Sequence, residues 1–340
     1  MSPTRTLDPV ASNEWPARLH VVTGKGGTGK TTVAAALALG LAAGGHRTLL
    51  VEVEGRQGIA QLFGTDPLPY AERRIATPAR GDGEVRALAV DPEEALLEYL
   101  DMFYRLGAAG RALRKIGAID FATTIAPGLR DVLLTGKVKE ATTRSSDGRR
   151  VYDAVVLDAP PTGRIGRFLN VTAETAKLAK MGPIKTQSDG VASLLRSPMT
   201  SVHVVTLLEE MPVQESLDAI AELTALGIPV GRIIVNAARP PLLTTGKITK
   251  TELKRGLAAA GLPTDAATVN GLHAEAKAHL TRRELEESLR TELAELGRPM
   301  IELPLLADGV DRDGLHELAA LLMSAHPTAP PPPLTRLKTV

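Results

Sequence analysis

The feature of this chain that most constrains its fold is the eight-residue stretch GKGGTGKT, from Gly24 to Thr31. Every fixed position matches the pattern G-x-x-x-x-G-K-[ST] of a phosphate-binding loop, or P-loop. The stretch follows an apolar segment that predicts a strand at 19–23, and it opens an Ala- and Leu-rich segment that predicts a helix to about Ala43. In this order, backbone N–H groups and a helix N-terminus can meet an anion. The loop therefore favours a nucleotide site over a glycine-rich turn without a ligand.

The residue types in this loop have distinct chemical uses. Lys30 is expected to reach the β and γ phosphates, and the Thr31 hydroxyl is placed to bind Mg²⁺. The predicted cofactors are therefore ATP or ADP and Mg²⁺. The nucleotide-binding residues predicted for this region are Gly24, Lys25, Gly26, Gly27, Thr28, Gly29, Lys30, Thr31 and Thr32.

Short β-branched runs alternate with helical stretches along the chain, which is typical of a parallel sheet with helices on both faces. We predict an α/β P-loop NTPase fold with a mostly parallel sheet of about seven strands and a helical subdomain. The first helix is expected to end at Gly44-Gly45, and a long charged helix is expected at 273–297. The predicted strands are 19–23, 48–53, 85–90, 154–158, 203–208, 232–236 and 300–304.

The domain organisation follows from where these patterns stop. One P-loop and no internal repeat predict a single ATPase domain over 18–325, with helical insertions at roughly 92–145 and 170–200. Residues 1–17 are expected to form a flexible N-terminal segment. Residues 326–340 are Pro-rich and predict an extended tail.

Composition excludes several classes of site and partner. The chain has no Cys, which removes disulfides, thiolate metal sites and iron–sulfur ligation. A formal net charge of +1 gives no support to nucleic-acid binding. The longest apolar stretch, at 33–43, is too short to span a bilayer, and the first residues lack the apolar run of a signal peptide. We expect a cytoplasmic protein with no stable membrane insertion.

A second Lys distinguishes this loop from the usual pattern. GKGGTGKTT resembles the deviant Walker A loop of the superfamily that includes MinD, ParA, the nitrogenase iron protein and the arsenical-pump ATPases. The resemblance implies that Lys25 crosses a dimer interface to the phosphates of the opposite subunit. Two neighbouring cations repel each other unless polyphosphate lies between them, which favours this role over a solvated side chain.

The stretch VVLDAPPTGRIGRFLNV, at 155–171, narrows the resemblance. Asp158 ends an apolar strand, where a carboxylate can hold Mg²⁺ through water. The run is similar to the switch segment D-T-A-P-T-G-H-T-L-R-F-L of the ArsA and guided-entry (tail-anchored protein targeting) ATPase family. That resemblance implies a γ-phosphate-sensing switch, with Pro161, Thr162 and Gly163 as its residues. Arg164 stands where His is usual.

A later block resembles the same family. In LLEEMPVQESLDAIAELTALGIPVGRIIVNAARP, at 207–240, the resemblance implies that Glu209 and Asn236 approach the nucleotide. An Asn amide offers both a donor and an acceptor, as an adenine edge requires. Without the family pattern, Asn236 would more often be a turn residue at a strand end.

The segment after the second strand departs from the family pattern D-P-A-H-S-L. Here Glu54 aligns with the Asp that polarises the attacking water, and Gly55, Gln57 and Gly58 form the switch. Glu54 is one methylene longer than Asp, and general-base geometry tolerates little error. Glu52 is a nearby candidate, but it alternates to the other face of the strand. The catalytic residues predicted are Lys25, Lys30, Glu54 and Asp158, with slow hydrolysis, and the metal ligands are Thr31 and Asp158.

The resemblance as a whole implies a dimeric ATPase that couples nucleotide state to conformational change and to client or partner binding. The partner is expected to be a second copy or a paralogous ATPase subunit, and the protein client is unknown. Because thiols are absent, we expect no action on arsenite. The alternatives left open are a nucleotide-gated scaffold or regulatory subunit with weak hydrolysis, and a positioning ATPase of the MinD and ParA type.

Overall fold

The protein is built on an eight-stranded sheet with the order β10-β9-β8-β1-β7-β2-β4-β3. Neighbouring strands are parallel except for β3, which pairs antiparallel with β4. A separate pair, β5 and β6, forms a short hairpin. The strands are β1 Leu19–Gly24, β2 Arg47–Glu52, β3 Arg73–Ala76, β4 Glu84–Ala89, β5 Ser145–Ser146, β6 Arg149–Arg150, β7 Ala154–Asp158, β8 Thr200–Thr206, β9 Val230–Ala238 and β10 Met300–Pro304.

This computed structural model describes residues 15–104, 127–170, 183–243 and 248–324. The predicted tail at 326–340 and parts of the predicted N-terminal and helical segments lie outside those ranges. The described helices are α1 Lys30–Ala42, α2 Gly58–Phe63, α3 Pro92–Tyr104, α4 Pro127–Thr143, α5 Thr162–Leu169, α6 Pro183–Leu195, α7 Glu210–Ala225, α8 Lys250–Ala259, α9 Ala266–Ala294 and α10 Arg312–Ser324.

Helices cover both faces of the sheet, which confirms the predicted fold class. One apolar core contains residues of α1, α2 and α10 together with one face of the strands. The other core contains residues of α4, α5, α6 and α7 against the opposite face. Helix α1 is apolar on nearly all sides, and it is buried because the sheet and α10 both pack against it.

The predicted sheet lacked one strand. All seven predicted strands are present, but β3 is an eighth, at the edge of the sheet. Its four residues include Arg73 and Arg74, both exposed, so its sequence carries little strand signal. Charged side chains are common on edge strands because they discourage pairing with another chain.

Two boundaries also differ from the sequence prediction. Helix α9 begins at Ala266, well before 273, because the Asp265 side chain accepts a hydrogen bond from the Thr268 backbone N–H at 3.0 Å and caps the helix. Trp15 and Ala17, assigned by sequence to the N-terminal segment, are buried. The division into a core domain and a helical subdomain stays a prediction. None of the described helices is both long and apolar enough to cross a membrane.

The parallel strands bring their carboxyl ends to one edge of the sheet. In the register of β2 and β7, Glu52 lies opposite Asp158. On β1, Val22 lies opposite Asp158, so the P-loop follows directly beside that carboxylate. Ligands of open parallel sheets bind at this edge.

Candidate nucleotide site

Glycine backbone and internal hydrogen bonds shape the P-loop. Gly27 and Gly29 have φ of 88° and 85°, in the left-handed region that favours glycine. Thr28 closes the turn, since both its backbone N–H and its hydroxyl donate to the Lys25 carbonyl, at 3.3 and 2.9 Å. Helix α1 then begins at Lys30. The loop therefore presents its N–H groups at a helix N-terminus.

Two glycines of the loop are closely approached by residues of neighbouring strands. A Cβ on Gly24 would lie 2.2 Å from the Val205 carbonyl oxygen of β8. A Cβ on Gly29 would lie 2.3 Å from Asn236 Nδ2. Gly26 and Gly27 differ, because they are exposed and a Cβ there would meet no described atom within 4 Å. Open space above these two glycines is where a phosphate chain can lie.

The predicted metal ligands contact each other. Thr31 Oγ1 donates to Asp158 Oδ2 at 2.7 Å, although the residues are far apart in the chain. Asp158 Oδ1 is buried and has no hydrogen-bond partner. Burial raises the pKa of Asp158 to about 6, and the nearby Glu52 and Glu54 charges act in the same direction, against the Thr31 hydrogen bond and Lys30.

This metal corner, formed by Thr31 and Asp158, fits Mg²⁺ rather than a metal held by protein alone. Mg²⁺ keeps several waters and is bound by one or two carboxylates plus substrate phosphates. The Asp158 oxygen without a partner and the Thr31 hydroxyl are such a donor set. Within the described ranges, no group of three or more His, Cys, Asp or Glu side chains could hold a metal by itself.

The two lysines of the loop have different surroundings. Lys30 is buried, and its charge lowers the pKa of Asp158. Lys25 Nζ lies 2.5 Å from Glu215 Oε1, and both side chains are about one-third exposed, at 30% and 33%. Lys25 therefore pairs with a carboxylate of its own chain, on α7. Thr32, one residue beyond Thr31, is partly exposed in the first turn of α1.

The predicted switch after β7 is attached to the same carboxylate. Thr162 is buried, and its hydroxyl donates to Glu215 Oε2 at 3.0 Å. Pro161 precedes the first residue of α5, and the Thr23 hydroxyl donates to the neighbouring Pro160 carbonyl at 2.7 Å. Gly163 is exposed on α5, and a Cβ there would meet no described atom within 4 Å, so close packing does not require this glycine.

The predicted switch after β2 contains strained backbone. Gln57 has φ of 56°, an uncommon value for a residue with a side chain, and Gly55 has φ of 67°. The Gln57 amide holds this conformation by donating to the Leu68 carbonyl at 3.1 Å and accepting from the Leu68 N–H at 2.7 Å. A Cβ on Gly58 would lie 3.3 Å from Thr31 Cγ2, so this switch lies against the P-loop helix.

The two glutamates near this switch have separate contacts. Glu52 is buried and accepts from the Gly58 and Ile59 N–H groups, each at 3.3 Å, which anchors α2. Glu54, the predicted general base, lies 3.7 Å from Arg56 and 3.9 Å from Arg164. The two departures from the family pattern, at Glu54 and at Arg164, thus face each other.

A cavity of about 500 Å³ lies beside the loop at the ends of β8 and β9. Asn236 links the two, because its Nδ2 donates to the Thr28 carbonyl at 2.9 Å. Glu209 lies at this cavity, exposed, immediately before α7. Ala237 follows Asn236 with φ of 52°, a strained value of the kind that clusters at functional sites. The remaining lining residues are Leu207, Leu208, Glu210, Ala238, Arg239, Arg282, Leu285, Glu286 and Leu305.

The structure thus brings most of the predicted residues to one edge of the sheet. Sequence reasoning missed Glu215, because a Glu inside an amphipathic helix has no distinguishing signal. It also assigned Glu52 only as an alternative base, whereas the carboxylate caps α2. A strand that ends in Glu followed by a glycine-rich turn could have indicated such a cap.

A P-loop between the first strand and helix, with a Thr and an Asp converging beside it, defines a nucleotide-binding protein of the P-loop class. A family model described as anion-transporting ATPase (ArsA) matches residues 17–198. ATPase BagA of Mycobacterium tuberculosis is 55% identical over 322 residues, which is 91% of this chain and 94% of BagA. ATPase GET3B of Arabidopsis thaliana is 26% identical over 291 residues, covering 71% of this chain and 69% of its own length. ATPase GET3 of Kluyveromyces lactis is 26% identical over 250 residues, covering 63% and 70%.

The chain belongs to the ArsA family of anion-transporting ATPases.

Proposed function

We propose that this ATPase binds Mg-ATP between two subunits and couples its nucleotide state to a change of shape and to partner or client binding. The observation that carries the proposal is the contact of Thr31 with Asp158, next to the buried Lys30. One oxygen of Asp158 has no partner there. A buried carboxylate with an unpaired oxygen is costly unless it binds a cation.

Different residues of the site bind different parts of the triphosphate. The loop N–H groups and the N-terminus of α1 hold the phosphate chain, and Lys30 offsets the charge on its β and γ groups. Thr31 and Asp158 would hold Mg²⁺, which would supply further charge neutralisation. Asn236 and Glu209 lie at the neighbouring cavity, whose volume of about 500 Å³ suits a nucleoside.

The proposed role of Lys25 requires a second subunit. In a dimer, the Lys25 side chain would leave its contact with Glu215 and approach the γ phosphate of the nucleotide bound to the partner subunit. A cation there stabilises the charge of the transition state. GET3 and GET3B are the relatives whose likeness supports a dimer that binds clients. The exposed, open glycines beside Lys25 leave room for such an approach.

Lys25→Ala tests this arrangement. We expect ATP affinity to change by less than about threefold, and turnover to fall by about 100-fold or more, because a trans cation acts on the transition state rather than on binding. The measurements are titration calorimetry with Mg-ATP, a steady-state phosphate assay and light-scattering mass with a non-hydrolysable ATP analogue. Lys254→Ala, an exposed lysine on α8, is the control. Unchanged turnover in Lys25→Ala would contradict the trans role.

A second candidate function is a nucleotide-gated scaffold or regulatory subunit with weak hydrolysis, working with a paralogous ATPase. The pairing of Glu54 with Arg56 and Arg164 favours it, because a carboxylate held in two ion pairs is less free to contact an attacking water. Hydrolysis by Glu54 is then expected to be slow.

Glu54→Gln separates these two candidates. If Glu54 is the general base, single-turnover hydrolysis should fall by about 100-fold while ATP binding is retained, because Gln keeps the shape but takes no proton. Glu292→Gln, an exposed carboxylate on α9, is the control. Equal rates for Glu54→Gln and the wild type would favour the scaffold, since residual hydrolysis would then not depend on this base.

Other properties belong to the same proposal. The chain has no Cys, so arsenite would find no soft ligand, and action on arsenite is not part of the proposed function. We propose a cytoplasmic location and a protein client of unknown identity.

A further inference from the structure

Lys25 is not a free cation in this chain. Its ammonium contacts Glu215 Oε1 at 2.5 Å, and the two residues come from the P-loop and from the second turn of α7. The pKa of Glu215 is lowered, and the hydrogen bond from Lys25 is the largest cause. The repulsion between Lys25 and Lys30 is thus offset within one subunit, without a nucleotide.

The second oxygen of Glu215 is used as well. It accepts the hydroxyl of Thr162, at 3.0 Å. Thr162 is the first residue of α5 and follows Asp158 by four positions, so it belongs to the switch that ends at the metal corner. One carboxylate therefore bridges the P-loop lysine and the switch.

We infer that Glu215 is a positioning residue that holds Lys25 and the Thr162 switch together in the separate subunit, and that the switch is no longer tied to the P-loop when Lys25 engages a nucleotide across the dimer. This inference rests on the proposed trans role of Lys25. The amine has one charge and one position, so contact with a partner's phosphate requires that it leave Glu215. Glu215 then keeps only its hydrogen bond to Thr162, so the switch is no longer tied to the P-loop and can follow the γ phosphate.

The pair opposes dimer formation by a modest amount. Partly exposed ion pairs contribute little individually, so breaking one weakens association by roughly 1.5- to 5-fold. A symmetric dimer breaks two such pairs, and the combined effect is roughly 2- to 25-fold in the dimer dissociation constant.

Glu215→Gln is the variant of choice, because it removes the charge and keeps the shape and an acceptor for Thr162. We expect the dimer dissociation constant with a non-hydrolysable ATP analogue and Mg²⁺, measured by analytical ultracentrifugation, to fall by roughly 2- to 25-fold. Asp218→Asn, an exposed carboxylate on the same helix that accepts a hydrogen bond from Gln214, is the matched control. In the Lys25→Ala background, Glu215→Gln should have no effect, since the pair is already absent.

A second readout does not require a dimer. In nucleotide-free protein, acetylation of the Lys25 amine, followed by mass spectrometry, should be about 2- to 5-fold faster in Glu215→Gln than in Asp218→Asn. Equal acetylation, or a dimer constant equal to that of Asp218→Asn while the wild type dimerises, would overturn the inference. So would an effect that persists in Lys25→Ala. A wild-type chain that stays monomeric with the analogue would instead overturn the proposed function, and the dimer-linked role of Glu215 with it.

Discussion

Lys30→Ala is expected to reduce ATP turnover by about 100- to 1,000-fold, because it removes the cation that lies at the start of α1 beside the metal corner. Lys30 is buried, and its charge is one of the groups that offset the ionised Asp158. No described lysine other than Lys25 occupies the loop, and Lys25 is paired with Glu215. Substitution of Lys30 therefore leaves the β and γ phosphates without a cation from their own subunit.

The measurements for Lys30→Ala are steady-state phosphate release and calorimetric titration with Mg-ATP. Lys185→Ala is the control, because Lys185 is a surface residue that pairs with Asp189 at 2.7 Å on α6. Thermal unfolding of both variants establishes that the fold is retained. Turnover of Lys30→Ala within tenfold of the control would mean that the loop does not hold the reacting phosphates.

Asp158→Asn is expected to have two opposite effects. It should lower the turnover of Mg-ATP by about 100-fold, because it removes the carboxylate that contacts Thr31 at the metal corner. It should also stabilise the metal-free chain against unfolding, by up to about 3 kcal/mol above pH 7, since the pKa of Asp158 is raised from 3.8 to about 6. Asn can still accept the Thr31 hydroxyl, which keeps the corner intact.

The pH dependence of that stabilisation follows from the direction of the shift. The folded chain binds the Asp158 proton more tightly than the unfolded chain, so the ionised carboxylate destabilises the fold above about pH 6. This destabilisation is lost as the pH falls through 6 towards 4, where wild type and Asp158→Asn should become equal. Chemical denaturation in a metal chelator across this range measures it, with the exposed Asp66→Asn as control. Lower stability of Asp158→Asn at pH 8 would contradict the assignment.

The switch after β2 shows why the interactions of some site residues cannot be predicted from the sequence. The departures at Glu54 and Arg164 look independent in the sequence, but the structure places their side chains 3.9 Å apart. Arg164 also lies 3.9 Å from Asp131 of α4. A change at one of these positions alters the electrostatic surroundings of the other, so neither can be interpreted from its own position alone.

Local signals determined much of this protein. The glycine pattern located the P-loop, because left-handed backbone at Gly27 and Gly29 and close approach at Gly24 favour glycine. Hydrophobic runs located seven strands, since burial on both faces demands continuous apolar sequence. The edge strand β3 was not predicted, because one of its sides faces solvent and its charged residues do not form an apolar run.

Only the tertiary structure decided which residues meet. Thr31 reaches Asp158, Lys25 reaches Glu215 and Thr28 reaches Asn236 across 127, 190 and 208 positions of the chain. These contacts depend on the strand order, which the helical crossovers set and which no local pattern encodes. The sequence shows which side chains are charged. The fold determines which charged groups lie close together, and the electrostatic energy depends on the distance between them.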